Sequence, residues 1–122
     1  MLLLIRGLPG SGKTTLAKRY NCLHLEADMY FIKNSQYNFD NHQLQNAHQW
    51  CLLQTEIALK NNMDVVVSNT FTQLWELERY FKLANHYNVK YQIIEAKGTY
   101  PNNHNIPENK LTQLKAKWQS LP

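Results

Sequence analysis

The amino-acid sequence predicts an α/β fold in three layers, in which a parallel sheet of about four strands lies between helices. Short apolar or β-branched runs alternate with segments whose apolar residues recur every three or four positions. Two runs, residues 2–5 and 65–67, lack the polar alternation of a half-exposed strand, which is typical of parallel sheets covered on both faces. Strands that alternate with helices in this way form a parallel sheet through right-handed crossovers.

The expected strands share β-branched or alternating apolar residues, and they are residues 2–5, 23–26, 65–67 and 89–96. The chain has 122 residues, with neither an internal repeat nor a linker. Residues 1–122 are therefore expected to form a single domain.

The expected helices share an apolar stripe, and they are residues 13–20, a long helix that ends near residue 60, residues 72–87, and a last helix after Pro107. Asp40 and Gln43 have the spacing of a capping box before the long helix. Pro107 suits a first helical turn, and the stripe that follows it consists of Leu111, Leu114, Trp118 and Leu121.

A glycine-rich stretch joins the first strand to the first helix and holds three of the four glycines of the chain. It has the phosphate-loop (Walker A) spacing Gly-x-x-x-x-Gly-Lys-Thr. In such a loop the backbone N–H groups surround phosphate oxygens, the lysine reaches the β- and γ-phosphates, and the threonine hydroxyl binds Mg²⁺. The predicted nucleotide-binding residues are Gly7, Leu8, Pro9, Gly10, Ser11, Gly12, Lys13, Thr14 and Thr15, with Thr14 as a metal ligand.

Ligands of open α/β sheets bind at the carboxyl ends of the strands. In this sequence, Asp28 follows the second predicted strand and is therefore expected at such an end. This carboxylate could accept the proton of an attacking hydroxyl as a catalytic base, or support Mg²⁺ through water. Alternatively, Asp28 caps the turn at residues 29–31. Glu26 lies at the same strand end but is expected to point to another face, which makes it the weaker candidate.

The third strand ends in Ser68, Asn69 and Thr70 and has no acid at that end. We expect either that Ser68 makes a polar or water-mediated contact or that Asn69 orients the γ-phosphate. Thr70 and Gln73 have the spacing of a capping box, which is an equally good explanation of this segment.

Composition restricts the function classes. The net charge is +4, but lysines 110, 115 and 117 share the last helix and favour a solvated face over a nucleic-acid site. Neither a signal-peptide core nor a membrane span is found, so no membrane partner is expected. Cys22 and Cys51 lack zinc or redox spacing and are interpreted as reduced core thiols of a cytoplasmic protein. The three tryptophans, Trp50, Trp75 and Trp118, are expected in the core.

Five stretches taken together resemble polynucleotide-kinase-like, zeta-toxin-like P-loop ATP-binding proteins. They are GLPGSGKTTLAKRY, LEADMYF, NAHQWCLLQTEIAL, VVVSNTFTQLWELERYFKLA and HNIPENKLTQLKAKW, in the same order and nearly end to end. The resemblance implies the three-layer P-loop NTPase fold with strand order 2-3-1-4. It also implies ATP and Mg²⁺ as ligands, phosphoryl transfer to a hydroxyl, catalytic roles for Lys13 and Asp28, and phosphate and metal binding by Gly10, Gly12, Lys13 and Thr14.

The sequence departs from these kinases at three places. Ser68 stands where relatives have an aspartate, Phe31 stands where polynucleotide kinases have an arginine, and residues 97–105, where a lid is expected, contain no arginine. Arginine contacts to the transferred phosphoryl group can accelerate the reaction by ~10³ or more.

Three functions therefore remain open. The first is a small kinase acting on a nucleic-acid 5′-hydroxyl, a nucleoside or another metabolite. The second is a nucleotide-binding switch or ATPase completed by a protein partner that supplies the missing arginine. The third is a module that only binds nucleotide.

Overall fold

The computed structural model describes residues 1–98 and 107–122. In this part of the chain the strands are β1 Leu2–Arg6, β2 Leu23–Leu25, β3 Ile32–Lys33, β4 Gln36–Tyr37, β5 Val65–Asn69 and β6 Tyr91–Glu95. The main sheet is parallel with the order β2-β5-β1-β6, and β3 and β4 form a separate antiparallel hairpin. Counted along the chain, the main strands have the order 2-3-1-4, so the predicted class and order are confirmed.

The described helices are α1 Lys13–Ala17, α2 Leu44–Lys60, α3 Leu74–His86 and α4 Glu108–Lys117, with 3₁₀ turns at Ala27–Phe31 and Asn41–Gln43. α1 ends three residues earlier than predicted, because the N–H groups of Arg19 and Tyr20 turn to the carbonyls of Leu16 and Ala17 in 3₁₀ fashion. α4 also ends early, because Trp118 is extended (ψ 125°). Trp118 and Leu121 therefore lie beyond the helix that they were predicted to continue.

Both predicted capping boxes are corrected by the structure. The Asp40 carboxylate accepts from the His42 N–H at 3.0 Å and caps the 3₁₀ turn that precedes α2, rather than α2 itself. The box before α3 uses Gln73 and Glu76, not Thr70 and Gln73, because Gln73 is the N-cap residue and its N–H donates to Glu76 Oε2 at 2.9 Å.

The two central strands, β1 and β5, are buried at every position, which explains why their apolar runs show no polar alternation. Leu2, Leu4, Val65 and Val67 pack with buried residues of α2 and α3 on one face. On the other face Leu3, Ile5 and Val66 pack with Ala17 of α1. These two apolar clusters make the three layers.

The cysteines and tryptophans follow the predictions only in part. Both cysteines are free thiols; Cys51 is buried, whereas Cys22 is half-buried. Trp50 is half-buried against the core of α2 and α3. Trp75 is 54% exposed, so its predicted core position is wrong: its place near the N-terminus of α3 faces solvent. No helix of residues 1–98 or 107–122 has the length and apolar character needed to span a membrane.

Candidate functional site

The glycine-rich loop connects the end of β1 to the start of α1, as predicted, and its glycines have structural causes. Gly10 and Gly12 have φ of 83° and 87°, which side chains other than hydrogen disfavour. At Gly7 an added Cβ would overlap the Ser11 side chain and lie 3.1 Å from the Ala96 carbonyl oxygen. The three glycines are therefore required by two left-handed turns and one close approach.

Neighbouring strand ends hold this loop in place. The Gly7 N–H donates to the Thr70 carbonyl at 3.3 Å, just beyond β5. The Gly98 N–H, beyond β6, donates to the Ser11 carbonyl at 3.0 Å. The loop is thus hydrogen-bonded to the segments that follow the strands on both sides of β1.

Lys13, the first residue of α1, lies close to two carboxylates. Burial lowers the pKa of the Lys13 ammonium, and the negative charges of Glu26 and Asp28 partly offset that shift. Asp28 and Glu26 follow β2, so the structure brings the predicted catalytic pair, Lys13 and Asp28, to one edge of the sheet.

Glu26 is the residue that sequence reasoning undervalued. Its Oε2 accepts hydrogen bonds from Thr14 Oγ1 at 2.8 Å and from Ser68 Oγ at 3.1 Å. His24 Nε2 lies 2.7 Å from Ser68 Oγ. Leu25 pairs with Val67 in the sheet, and this register places the next residue, Glu26, beside Ser68. The register was the missing information, because sequence patterns do not specify which residues of two parallel strands are neighbours.

His24, Glu26 and Asp28 occupy alternate positions of the chain, but their side chains do not form a metal-binding cluster. Across residues 1–98 and 107–122, no group of three or more histidine, cysteine, aspartate or glutamate side chains could hold a metal. Burial lowers the pKa of His24, which favours the neutral imidazole in its contact with Ser68.

Asp28 lies inside the 3₁₀ turn Ala27–Phe31 and is half-buried. The N-cap residue of this turn is Glu26, so the alternative assignment of Asp28 as the cap is wrong. Tyr37 of β4 donates its hydroxyl to Asp28 Oδ1 at 3.4 Å. Burial and the Asp28 charge together raise the pKa of Tyr37 to about 12, so the phenol stays protonated as a donor at neutral pH.

Asn69 positions the turn that carries Asp28. Its Oδ1 accepts from the Ala27 N–H at 2.9 Å, and its Nδ2 lies 3.7 Å from Cys51 Sγ. Asn69 is 6% exposed, so a direct contact with nucleotide would require breaking these bonds. The nucleotide contact predicted for Asn69 stays a prediction; the interaction present is a structural one. Thr15 lies on α1 with an exposed side chain.

A pocket of about 510 Å³ opens beside the loop, between the end of β6 and the C-terminal segment. It is lined by residues 8–11, by residues 95–98, and by Leu111, Lys115 and Trp118. Ser11 is 8% exposed, and its Oγ has no hydrogen-bond partner among the described residues. Buried hydroxyls are normally satisfied, so this one is consistent with a polar ligand in the pocket.

The arginines are used elsewhere in the structure. Arg6 is fully buried; it donates to the carbonyls of Phe71 at 2.7 Å and Gln119 at 2.8 Å, and its guanidinium lies 3.9 Å from the centre of the Trp118 ring. Arg79 of α3 lies over Trp75 at 5.9 Å. Arg19 follows α1, at the opposite end from the loop. Most of the expected lid, residues 99–105, lies outside the described residues.

Comparisons with known proteins agree with this fold. NEDD4-binding protein 2 of Homo sapiens is 35% identical over 100 residues, which make up 77% of this chain but 6% of that protein. A chain of the Pnkp1/Rnl/Hen1 complex superposes with a TM-score of 0.64 at 18% identity, over 92% of this chain and 38% of that one. APS kinase CysC of Mycobacterium tuberculosis superposes with a TM-score of 0.59 at 12% identity, over 95% and 94% of the two chains.

This chain thus spans 6% of NEDD4-binding protein 2 and 38% of the chain from the Pnkp1/Rnl/Hen1 complex. The structural likeness establishes a kinase-like P-loop fold. The model of the family described as AAA domain matches residues 2–98, which is most of the chain. The protein belongs to the AAA domain family.

Proposed function

We propose that residues 1–122 form one nucleotide-binding domain, a small kinase that binds ATP with Mg²⁺ at residues 7–15 and transfers the γ-phosphoryl group to a hydroxyl. The observation that carries this proposal is the position of Asp28. It lies at the strand end next to the loop, close enough to Lys13 for its charge to act on the pKa of that ammonium. A phosphate-binding lysine and a proton acceptor beside it are the parts that phosphoryl transfer needs.

The residues present fit a nucleotide and its metal ion. Thr14 presents a hydroxyl among oxygen-bearing side chains, and Mg²⁺ prefers oxygen ligands. The pocket beside Ser11 has a volume in the range of small-molecule sites, with room for the nucleoside part of ATP. When bound, Mg²⁺ neutralises charge on the β- and γ-phosphate oxygens.

Each residue has one role in the proposed reaction. Asp28 accepts the proton of the acceptor hydroxyl while the oxygen of that hydroxyl forms a bond to the γ-phosphorus. The bond from the γ-phosphorus to the β-phosphate oxygen breaks at the same time. Lys13 stabilises the charge that moves to the leaving ADP. Asn69 holds the Ala27 N–H and thereby positions Asp28.

The acceptor is proposed to approach over the β3–β4 hairpin, which lies next to Asp28 through Tyr37. Ile32, Tyr37 and Phe39 of this region are about half exposed, and the Tyr37 and Phe39 rings are stacked. Such a surface suits an acceptor with a flat or apolar part beside its hydroxyl. Nucleic-acid 5′ ends, nucleosides and small metabolites remain the acceptor classes to compare.

The test is transfer of labelled phosphate from γ-labelled ATP to a panel of 5′-hydroxyl oligonucleotides, nucleosides and metabolites. Lys13→Ala should weaken ATP binding, and Asp28→Asn should lower transfer by ~10²–10⁴ while ATP affinity is retained. Lys60→Ala and Asp64→Asn are matched controls, because both residues are exposed and lie at the end of α2 and before β5, away from the loop. Full activity of Asp28→Asn would remove Asp28 from the mechanism.

A second candidate is a nucleotide-binding switch or partner-completed ATPase. The observation in its favour is that Arg6, the arginine nearest the loop in sequence, is buried under Trp118 and bonded to backbone carbonyls. An arginine from another chain would then have to supply the positive charge. ATP turnover that stays negligible for the isolated protein and rises with a partner or on oligomerisation would favour this candidate over the kinase.

A further inference from the structure

The hydroxyl of Thr14, the proposed magnesium ligand, is held by a carboxylate from the neighbouring part of the sheet. Thr14 Oγ1 donates to Glu26 Oε2 at 2.8 Å. Because its hydrogen points to Glu26, the oxygen of Thr14 has its lone pairs free for a cation on the other side. A threonine hydroxyl that binds a metal needs this orientation.

The Glu26 carboxylate lies within the site rather than in solvent. Its side chain is 18% exposed. Its Oε2 also accepts from Ser68 Oγ at 3.1 Å, and its charge acts on Lys13. Two hydroxyl donors on one carboxylate oxygen fix the position of the group, and Mg²⁺ is typically bound through one or two carboxylates, substrate phosphates and several waters.

Ser68 faces Glu26 from β5 and cannot itself carry a charge. The register of β2 and β5 places positions 26 and 68 side by side, so a carboxylate at either position would reach the same place beside Thr14. Asp28 is oriented differently, since its Oδ1 accepts from Tyr37 of the hairpin. Glu26 is thus hydrogen-bonded to Thr14 and Ser68, whereas Asp28 is hydrogen-bonded to Tyr37, and both charges act on Lys13.

We propose that Glu26 supplies the metal-supporting carboxylate of this site, from the end of β2, and that the charge is required at this junction of β2 and β5 whichever strand provides it. The inference rests on the proposed binding of ATP with Mg²⁺ and deepens it. It leaves Asp28 to act as the base.

Calorimetry measures the affinity for the β,γ-imido analogue of ATP, once with Mg²⁺ and once with EDTA. The ratio of these two affinities is the gain in affinity due to the metal. Glu26→Gln keeps the size and an acceptor oxygen and removes the charge. We expect the metal-dependent gain to fall ~10–100-fold. Affinity without metal should stay equal or rise, because one negative charge near the phosphates is removed; a merely structural role would lower both affinities.

The double variant Glu26→Gln with Ser68→Asp returns a carboxylate from the other strand and should recover most of the gain. The matched control Asp64→Asn, at an exposed residue before β5, should keep the wild-type gain. Binding of Mn²⁺ to the analogue complex, followed by electron paramagnetic resonance, gives a second readout in the absence of turnover.

The outcomes separate this inference from the proposed function. If the wild-type protein does not bind the analogue, the proposed function fails and this inference fails with it. If the analogue binds and Glu26→Gln keeps the full metal-dependent gain, only the role of Glu26 is refuted. The same conclusion follows if the double variant, with an unchanged melting temperature, stays at the level of the single variant.

Discussion

Replacing Arg6 tests a buried interaction that ties the C-terminal segment to the sheet. Arg6 is the last residue of β1 and is fully buried. Its guanidinium donates to the carbonyls of Phe71, Thr72 and Gln119 at 2.7, 3.3 and 2.8 Å. The variant Arg6→Met keeps most of the aliphatic stem and removes every donor of the guanidinium.

The expected loss follows from the carbonyls left without a donor. The Arg6 contact with Phe71 is buried and that with Gln119 is partly buried, and each of these carbonyls left without a partner costs ~1–3 kcal/mol. The Thr72 carbonyl keeps the Gln119 N–H as a donor and adds little to the loss. Two terms offset part of that loss. Burial lowers the pKa of Arg6, so the charge is held there at a desolvation cost, and Nη1 has no partner among the described residues. We expect the free energy of unfolding to fall by about 3 kcal/mol, which is a large part of the ~5–15 kcal/mol of a typical domain.

Urea unfolding followed by tryptophan fluorescence measures this loss, and hydrogen exchange measures the local effect. Because Gln119 also bonds to Thr72 and Leu74, amides near Gln119 should exchange faster in Arg6→Met than in the wild type. The matched control is Arg79→Met, which removes a partly exposed arginine and should change stability by less than ~0.5 kcal/mol. A stability of Arg6→Met equal to that of the wild type would show that an apolar side chain replaces the buried charge without loss, and the reasoning would be refuted.

Three further predictions concern the loop, the Asp28 turn and pH. Gly7→Ala should lower stability by ~1–3 kcal/mol and weaken ATP binding, because the new methyl group meets the Ala96 carbonyl; an unchanged melt and affinity would contradict the close approach. Asn69→Ala should cost ~1–3 kcal/mol by leaving the Ala27 N–H without its acceptor, and a thermal melt equal to that of the wild type would contradict this role. Burial lowers the pKa of His48 in the folded protein. As the pH falls, His48 is therefore protonated in the unfolded state before it is protonated in the folded state. Its contribution to stability is present above about pH 6.5 and is lost as the pH falls through the lower pKa of the folded state. Urea midpoints at about pH 7.5 and about pH 5.5 should differ less in His48→Gln than in the wild type.

The fold was predictable because its determinants are local in sequence. The runs at residues 2–5 and 65–67 are apolar at every position, and such strands are stable only when both faces are covered. The glycine loop was predictable for a similar reason: the φ values of Gly10 and Gly12 and the crowding at Gly7 are conditions that only glycine meets easily. The helix ends were predicted less well, since Trp118 leaves the helix to lie over Arg6, and Gln119 bonds to Thr72 and Leu74.

The site itself was predictable only in outline. The positions of Asp28 and Lys13 at one strand end could be predicted from their places after β2 and in the loop, and their roles stay a prediction, whereas Glu26 was assigned to the wrong face. Its side chain meets Thr14 and Ser68, and the second contact spans 42 positions of sequence. Asn69 shows the same limit, because its partner Ala27 is also 42 positions away and nothing in the strand pattern pairs them.

By itself, the sequence determined the order of the four main strands and the helices and the conformation of the glycine-rich loop, since periodicity and glycine stereochemistry act over a few neighbouring residues; it did not predict the β3–β4 hairpin. The tertiary structure decided which side chains meet. The register of β2 against β5 turned Glu26 toward Thr14, and the packing of Trp118 enclosed Arg6 beside carbonyls 65 and 113 positions away. Contacts between residues so far apart in sequence depend on how the whole chain is packed, and local sequence patterns do not specify them.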